Sequence, residues 1–257
     1  MKMKHIDCDE NDGFVNKLPV VTAVFWLMKI LATTLGETGG DWLSMTMNFG
    51  YLVSTIIFFS LFIAAVSFQL GAKKYHPFLY WTVIIATSTA GTTLSDYMDR
   101  TLGLGYAAGS AILVSILVAL LATWRFSVGT LSVEKVQSRK AELFYWVTIL
   151  FSNTLGTALG DFLADDSGLG FLGSWLLITG TLCVISSFYF FSQVNKVLLF
   201  WLAFILTRPF GATFGDLLTK NPDHGGLGFG TGYSSLILLT ILVATILYFR
   251  PRNGKVL

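Results

Sequence analysis

Four related segments recur along this chain, and their fixed internal spacing limits what it can fold into. Phe25-Trp26, Tyr80-Trp81, Tyr145-Trp146 and Phe200-Trp201 each open a long apolar run. The runs end in GETGGD (36–41), GTTLSD (91–96), GTALGD (156–161) and GATFGD (211–216). From Trp to the last Asp is 15 residues in all four copies, and the tryptophans are 55, 65 and 55 residues apart. A glycine-aromatic turn follows at Gly50-Tyr51, Gly105-Tyr106, Gly170-Phe171 and Gly228-Phe229, and then a second apolar run. Self-similarity at a fixed period marks a repeated structural unit. Here that unit reads as helix, acidic turn, helix.

The solvent follows from composition. The chain is 54% hydrophobic and 12% charged, against roughly 25% charged for soluble domains. A helix needs about 20 mostly apolar residues to cross a bilayer, so 257 residues hold about eight spans with short links. The expected fold is an all-α membrane protein whose eight transmembrane helices form four parallel helical-hairpin repeats around a central axis. Its parts are a tail (1–18), repeats at 19–70 and 75–126, a charged linker (127–141), repeats at 142–192 and 197–250, and a second tail (251–257).

The four-copy arrangement, with two spans and one of these tryptophans per copy and a G-x-T-x-x-G-D-like end, resembles a bacterial membrane-protein family known as a "repeat of unknown function". The resemblance covers roughly residues 20–250 and implies an eight-span inner-membrane protein. It implies nothing about activity, which must come from the residues.

Positive charge collects on cytoplasmic loops. Lys2, Lys4, Lys17, Lys73, Lys74, Arg125, Lys135, Arg139, Lys140, Lys196, Arg250, Arg252 and Lys255 lie in the tails and the links between units. The turns within units hold Arg100 and Lys220 against eight aspartates. Both termini are therefore expected inside, with the acidic turns outside. The polar start of the chain does not read as a cleaved signal. The net charge of +2 is too small and scattered for nucleic-acid binding. Cys8, Cys183 and the three histidines are dispersed, without metal-site spacing.

The apolar run that forms the second helix of a unit, as at 107–124 and 234–249, carries no charged group and suits lipid, whereas the first helix carries a polar stripe. Steps of four back from each aspartate give Asp41, Glu37, Thr33 and Lys29; Asp96, Thr92, Ser88 and Ile84; Asp161, Thr157, Asn153 and Ile149; and Asp216, Ala212, Arg208 and Phe204. Charge at the bilayer centre costs roughly 2.5–3.5 kcal/mol, so first helices should face inward and second helices outward. The pairs Gly36/Gly40, Gly91/Ser95, Gly156/Gly160 and Gly211/Gly215 allow close helix packing. The tryptophans read as anchors at the cytoplasmic boundary.

Asp41, Asp96, Asp161 and Asp216 hold equivalent positions and support two readings. As an acidic ring they would concentrate cations and suit a hard metal such as Mg²⁺, Mn²⁺ or Ca²⁺, or a proton-coupled or organic cation. As local caps they would bond backbone N–H groups of the following segment. Asp99, Asp165, Asp166 and Asp223 read as solvated loop charges.

The expected function is cation transport, with a divalent metal among the candidate substrates. The path would comprise the four aspartates with Glu37 and Asn153, and Lys29 and Arg208 would gate it or couple it to protons. Arg208 is expected to pair with Glu37 where the fourth unit meets the first, while no carboxylate lies at the level of Lys29. Alternatives are a cation channel or a receptor or assembly module without flux. No enzymatic activity and no cofactor are expected. Expected partners are membrane lipids and the cation substrate.

Overall fold

The computed structural model describes residues 17–249. Cys8, His5, the first tail up to residue 16 and the second tail lie outside the described residues. Among the described residues there are eight α-helices and no strand: α1 (Ala23–Asp41), α2 (Tyr51–Gly71), α3 (Pro77–Asp96), α4 (Tyr106–Val128), α5 (Arg139–Asp161), α6 (Gly170–Phe191), α7 (Lys196–Thr219) and α8 (Thr231–Tyr248). Local chemistry sets the starts. Thr22, Ser138 and Asn195 accept backbone N–H bonds at the starts of α1, α5 and α7, and Pro77 opens α3.

Helices α2, α4, α6, α7 and α8, and α5 with its terminal turn, are long and apolar enough to cross a membrane. They mark the chain as a membrane protein. Helix α1 carries Lys29, Glu37 and Asp41, and α3 is rich in Ser and Thr, so neither is apolar enough on its own. Both are well buried among other helices.

Helix α1 packs on α3, α3 on α5, α5 on α7 and α7 back on α1, which closes a ring of the four first helices. Each second helix packs chiefly on the first helix of the next unit: α2 on α3, α4 on α5, α6 on α7, and α8 on α1. The helical hairpin of each repeat is thus a connection more than a packed pair. Every unit is clasped by its predecessor, and the last clasps the first.

Glycine sets how closely the ring closes. A Cβ on Gly36 would overlap Ser88, one on Gly156 would overlap the Arg208 stem, and one on Gly211 would overlap Thr33. At Gly91 it would come within 2.9 Å of the Thr154 backbone nitrogen. The first small residue of each hexapeptide therefore lets the next helix reach its backbone. After each of Asp41, Asp96 and Asp161 the helix widens into one π turn, over Trp42–Thr46, Tyr97–Thr101 and Phe162–Asp166. The second helices then follow positive-φ glycines such as Gly50 (φ 76°) and Gly105 (φ 73°), a conformation that other residues rarely adopt. In the fourth unit Gly230 takes this place, two residues beyond the Gly228-Phe229 turn read from sequence.

The tryptophans are not boundary anchors. Trp81, Trp146 and Trp201 are buried, and Trp26 is partly so. Fifteen residues at about 100° each leave a tryptophan about 60° from its aspartate's face, so it turns toward the ring and away from lipid. Phe25 meets Trp81 at 5.8 Å, Tyr80 meets Trp146 at 5.5 Å, and the Tyr80 and Tyr145 hydroxyls are 2.6 Å apart. This end of the ring is filled with aromatic side chains.

Gly91→Ala and Gly211→Ala should each lower stability in detergent by about 1–3 kcal/mol through overpacking. Gly180→Ala on α6, where an added Cβ meets nothing within 4 Å, should be neutral or slightly stabilising. Thermal unfolding of the three variants checks this, and equal losses at Gly91 and Gly180 would remove the close-packing account.

Candidate functional site

The polar stripe lies inside the ring, in layers. At the aspartate level the carboxylates are bridged in pairs. Lys220 Nζ lies 2.6 Å from Asp41 Oδ2 and 3.1 Å from Asp216 Oδ1. Arg100 lies 3.0 Å from Asp96 and 3.2 Å from Asp161. All four aspartates are buried. Burial opposes the charge on Lys220, but Asp216 and then Asp41 outweigh it and raise its pKa above the usual lysine value. None of Asp41, Asp96 and Asp161 makes a side-chain cap to the turn that follows it, so these three do not act as local caps.

In the sequence Arg100 and Lys220 are the two cations among the acidic turns. Each stands four residues after its own aspartate, one helical turn on, and reaches the aspartate of the following unit as well. The equivalent positions in the first and third units are Met45 and Asp165. That alternation was the available signal, and it makes the charge pattern twofold on a fourfold scaffold.

One turn deeper, Arg208 Nη1 lies 3.0 Å from Glu37 Oε2, the contact expected where the fourth unit meets the first. Arg208 Nη2 donates to the hydroxyls of Thr92 and, at 2.8 Å, Thr157. Those hydroxyls lie 3.3 and 3.4 Å from Glu37 Oε2, placed to donate to it. Arg208 also meets the carbonyls of Thr33 and Ser88 at 3.4 Å. Asn153 stays apart from Glu37, and its amide donates to Thr87 (3.0 Å) and Ser88 (3.3 Å) on α3.

Below this level Lys29 is fully buried, as are Ile84, Ile149 and Phe204 at the equivalent positions of the other units. Its Nζ has no hydrogen-bond partner among the described residues and lies 4.1 Å from the Phe204 ring centroid. Cation–π contact is its visible compensation.

Two other readings change. Asp99 is buried beside Gly109 and accepts from Ser95 at 3.2 Å, whereas Asp165, Asp166 and Asp223 are exposed. Lys17, counted as a tail charge, is buried 2.6 Å from Glu142 and donates to the Gln69 carbonyl at 3.0 Å. It ties the segment before α1 to the end of α2 and the start of α5.

Against the aspartate end lies a cavity of about 400 Å³, lined in part by Arg100, Asp165, Asp216, Lys220 and His224. Glu37, Asp41 and Asp216 each offer an oxygen within 4.8 Å of the others.

Fold and site together define a helical membrane protein of four internal repeats with ionisable residues enclosed by its first helices. The chain belongs to the family described as Repeat of Unknown Function (DUF347), whose pattern matches residues 24–75, 79–130, 144–195 and 199–253. No curated protein and no solved structure matches the chain.

Breaking a buried pair leaves an uncompensated charge and costs about 3–5 kcal/mol. Arg208→Met should therefore strongly destabilise the protein, and Arg208→Met with Glu37→Gln should recover part of the loss. Chemical denaturation of the single and double variants measures the coupling, and additive losses would contradict it.

Proposed function

We propose that this protein is an inner-membrane cation transporter whose path runs through the ring of first helices. The observation that carries this reading is the stack of buried ionisable groups at successive levels: the bridged aspartates, Glu37 with Arg208, and Lys29. Such groups are costly within a membrane, and in membrane proteins they mark ion pathways.

In this reading all eight helices cross the membrane, because α1 and α3 belong to the same ring as α5 and α7. The four units are parallel repeats about an axis along the membrane normal. Both termini are cytoplasmic, and the aspartate end with its cavity faces outward. A substrate enters from that cavity, exchanges with the aspartate bridges, and meets Lys29 as the positive barrier or coupling group. The apolar and aromatic layers below Arg208 favour a carrier with alternating access over a pore open at both ends.

Purified protein in liposomes should give saturable flux of at least one cation from a panel of Mg²⁺, Mn²⁺, Ca²⁺, Na⁺ and K⁺, and Asp216→Asn should reduce it. Folded wild-type protein that moves none of them would reject the reading. Orientation is checked separately in protein lacking Cys8 and Cys183. Ser167→Cys should label from outside and Gln137→Cys from inside, and the reverse pattern would invert the assignment.

A further inference from the structure

The two bridged aspartate pairs are not equivalent. Near Lys220 a third carboxylate, Glu37, completes a set whose oxygens lie within 4.8 Å of one another. Oxygens that share one hard divalent ion stand at most about twice the ion–oxygen distance apart, roughly 4–5 Å, so this spacing fits one ion. No such group includes Asp96 or Asp161 among the described residues.

A second observation points to a ligand at the same place. Asp216 is buried and lines the cavity, yet its Oδ1 accepts no hydrogen bond. Lys220 Nζ stands 3.1 Å away as its ion-pair partner, while the closer contact of that ammonium is with Asp41. Among the described residues, the one group that faces this buried oxygen is thus a side chain held more closely by Asp41.

Charge counts in the same direction. Glu37, Asp41 and Asp216 carry three negative charges and Arg208 offsets one. Lys220 covers half of the remainder, and a divalent ion would cover all of it. Lys220 also has somewhere to go. Its N–H bonds to the Asp216 carbonyl and its carbonyl accepts from Gly228, both at 2.9 Å, so the backbone is fixed. Its side chain is 23% exposed and borders the cavity of about 400 Å³. A swing of the side chain alone would clear the carboxylates.

We propose that Glu37, Asp41 and Asp216 form a binding site for one hard divalent cation, and that Lys220 is its tethered, displaceable occupant. This rests on the transport reading for its purpose but not for its test. Lys220 competes with the ion intramolecularly, which keeps affinity low and lets the ion leave. It also keeps the carboxylates compensated while the ion is absent.

The test is Mn²⁺ binding, measured by titration with manganese chloride on the full chain in detergent. Lys220→Met should tighten binding by about tenfold or more, because a tethered competitor acts at high effective concentration. Lys220→Arg keeps the tethered charge and should bind as weakly as the wild type. Adding Asp41→Asn or Asp216→Asn to Lys220→Met should abolish the gain, whereas adding Asp166→Asn, in an exposed turn, should not. Lys220→Gln takes the place of Lys220→Met should the latter fail to fold. The proposal is overturned if removing the Lys220 charge leaves affinity unchanged or lower, or if Asp161→Asn weakens binding as much as Asp216→Asn does. Tightened binding without flux would reject transport and keep the site. Flux with unaltered affinity in Lys220→Met would keep transport and reject the site.

Discussion

The Arg208 guanidinium is the contact on which the ring depends. It leaves α7, crosses the bare backbone at Gly156 on α5, and bonds to Glu37 on α1, Thr92 on α3 and Thr157 on α5. One side chain therefore ties every other first helix to its own. A buried guanidinium is tolerated only when its charge and most of its donors are met. Here they are met by residues from three helices at once, so the site exists only when the ring is closed. Glycine at Gly36, Gly91, Gly156 and Gly211 brings the backbones near enough for this. Packing and electrostatics are thus one constraint.

Symmetry is broken in steps, and chemistry appears where it breaks. Close glycine contacts and hexapeptide aspartates follow a fourfold pattern. The bridging cations are twofold, because only the second and fourth units place Arg100 and Lys220 one turn after their aspartates. Lys29, Glu37 and Arg208 each occur once, on the adjoining α1 and α7. A purely fourfold acidic ring would repel itself. The twofold cations compensate it, and the single Glu37 then makes one of the two bridges different from the other.

Much of this was legible in the sequence because helical levels can be counted. The invariant 15-residue step set the register, and the four-residue stripe placed Glu37 and Arg208 within reach before any contact was known. Sharing of the aspartates was not legible, since a charge after a helix end reads equally well as a solvated loop. The packing of each second helix on the next unit was hidden too, because an apolar surface without polar markers names no partner. Lys17 and Glu142 meet across 125 positions with nothing between them to announce it. The tryptophans read as anchors in sequence because an amphipathic ring at a helix start suits both an interface and a core, and only the angle to the aspartate face separates the two.

Where the bridges fall bears on how such a ring could open. The charged linker divides the chain into two pairs of units. Arg100 joins α3 to α5 and Lys220 joins α7 to α1, so both cations lie on contacts between the pairs. The clasps of α4 on α5 and of α8 on α1 lie on the same two contacts. Opening at either contact must break a carboxylate bridge and peel away a second helix together. On the α7–α1 side it must also strain the Arg208–Glu37 pair, while the α3–α5 side has the Asn153 bonds to Thr87 and Ser88, which carry no net charge. The two contacts therefore differ in the charge exposed on opening. Exposing neutral amides and hydroxyls costs less than separating a buried ion pair, so the α3–α5 side is the weaker of the two unless an ion compensates the carboxylates at α7–α1. An ion that replaced Lys220 would change that balance at the contact it occupies and leave the opposite one as it was. In the proposed transporter, ion occupancy at a single bridge would in this way be tied to which side of the ring yields first.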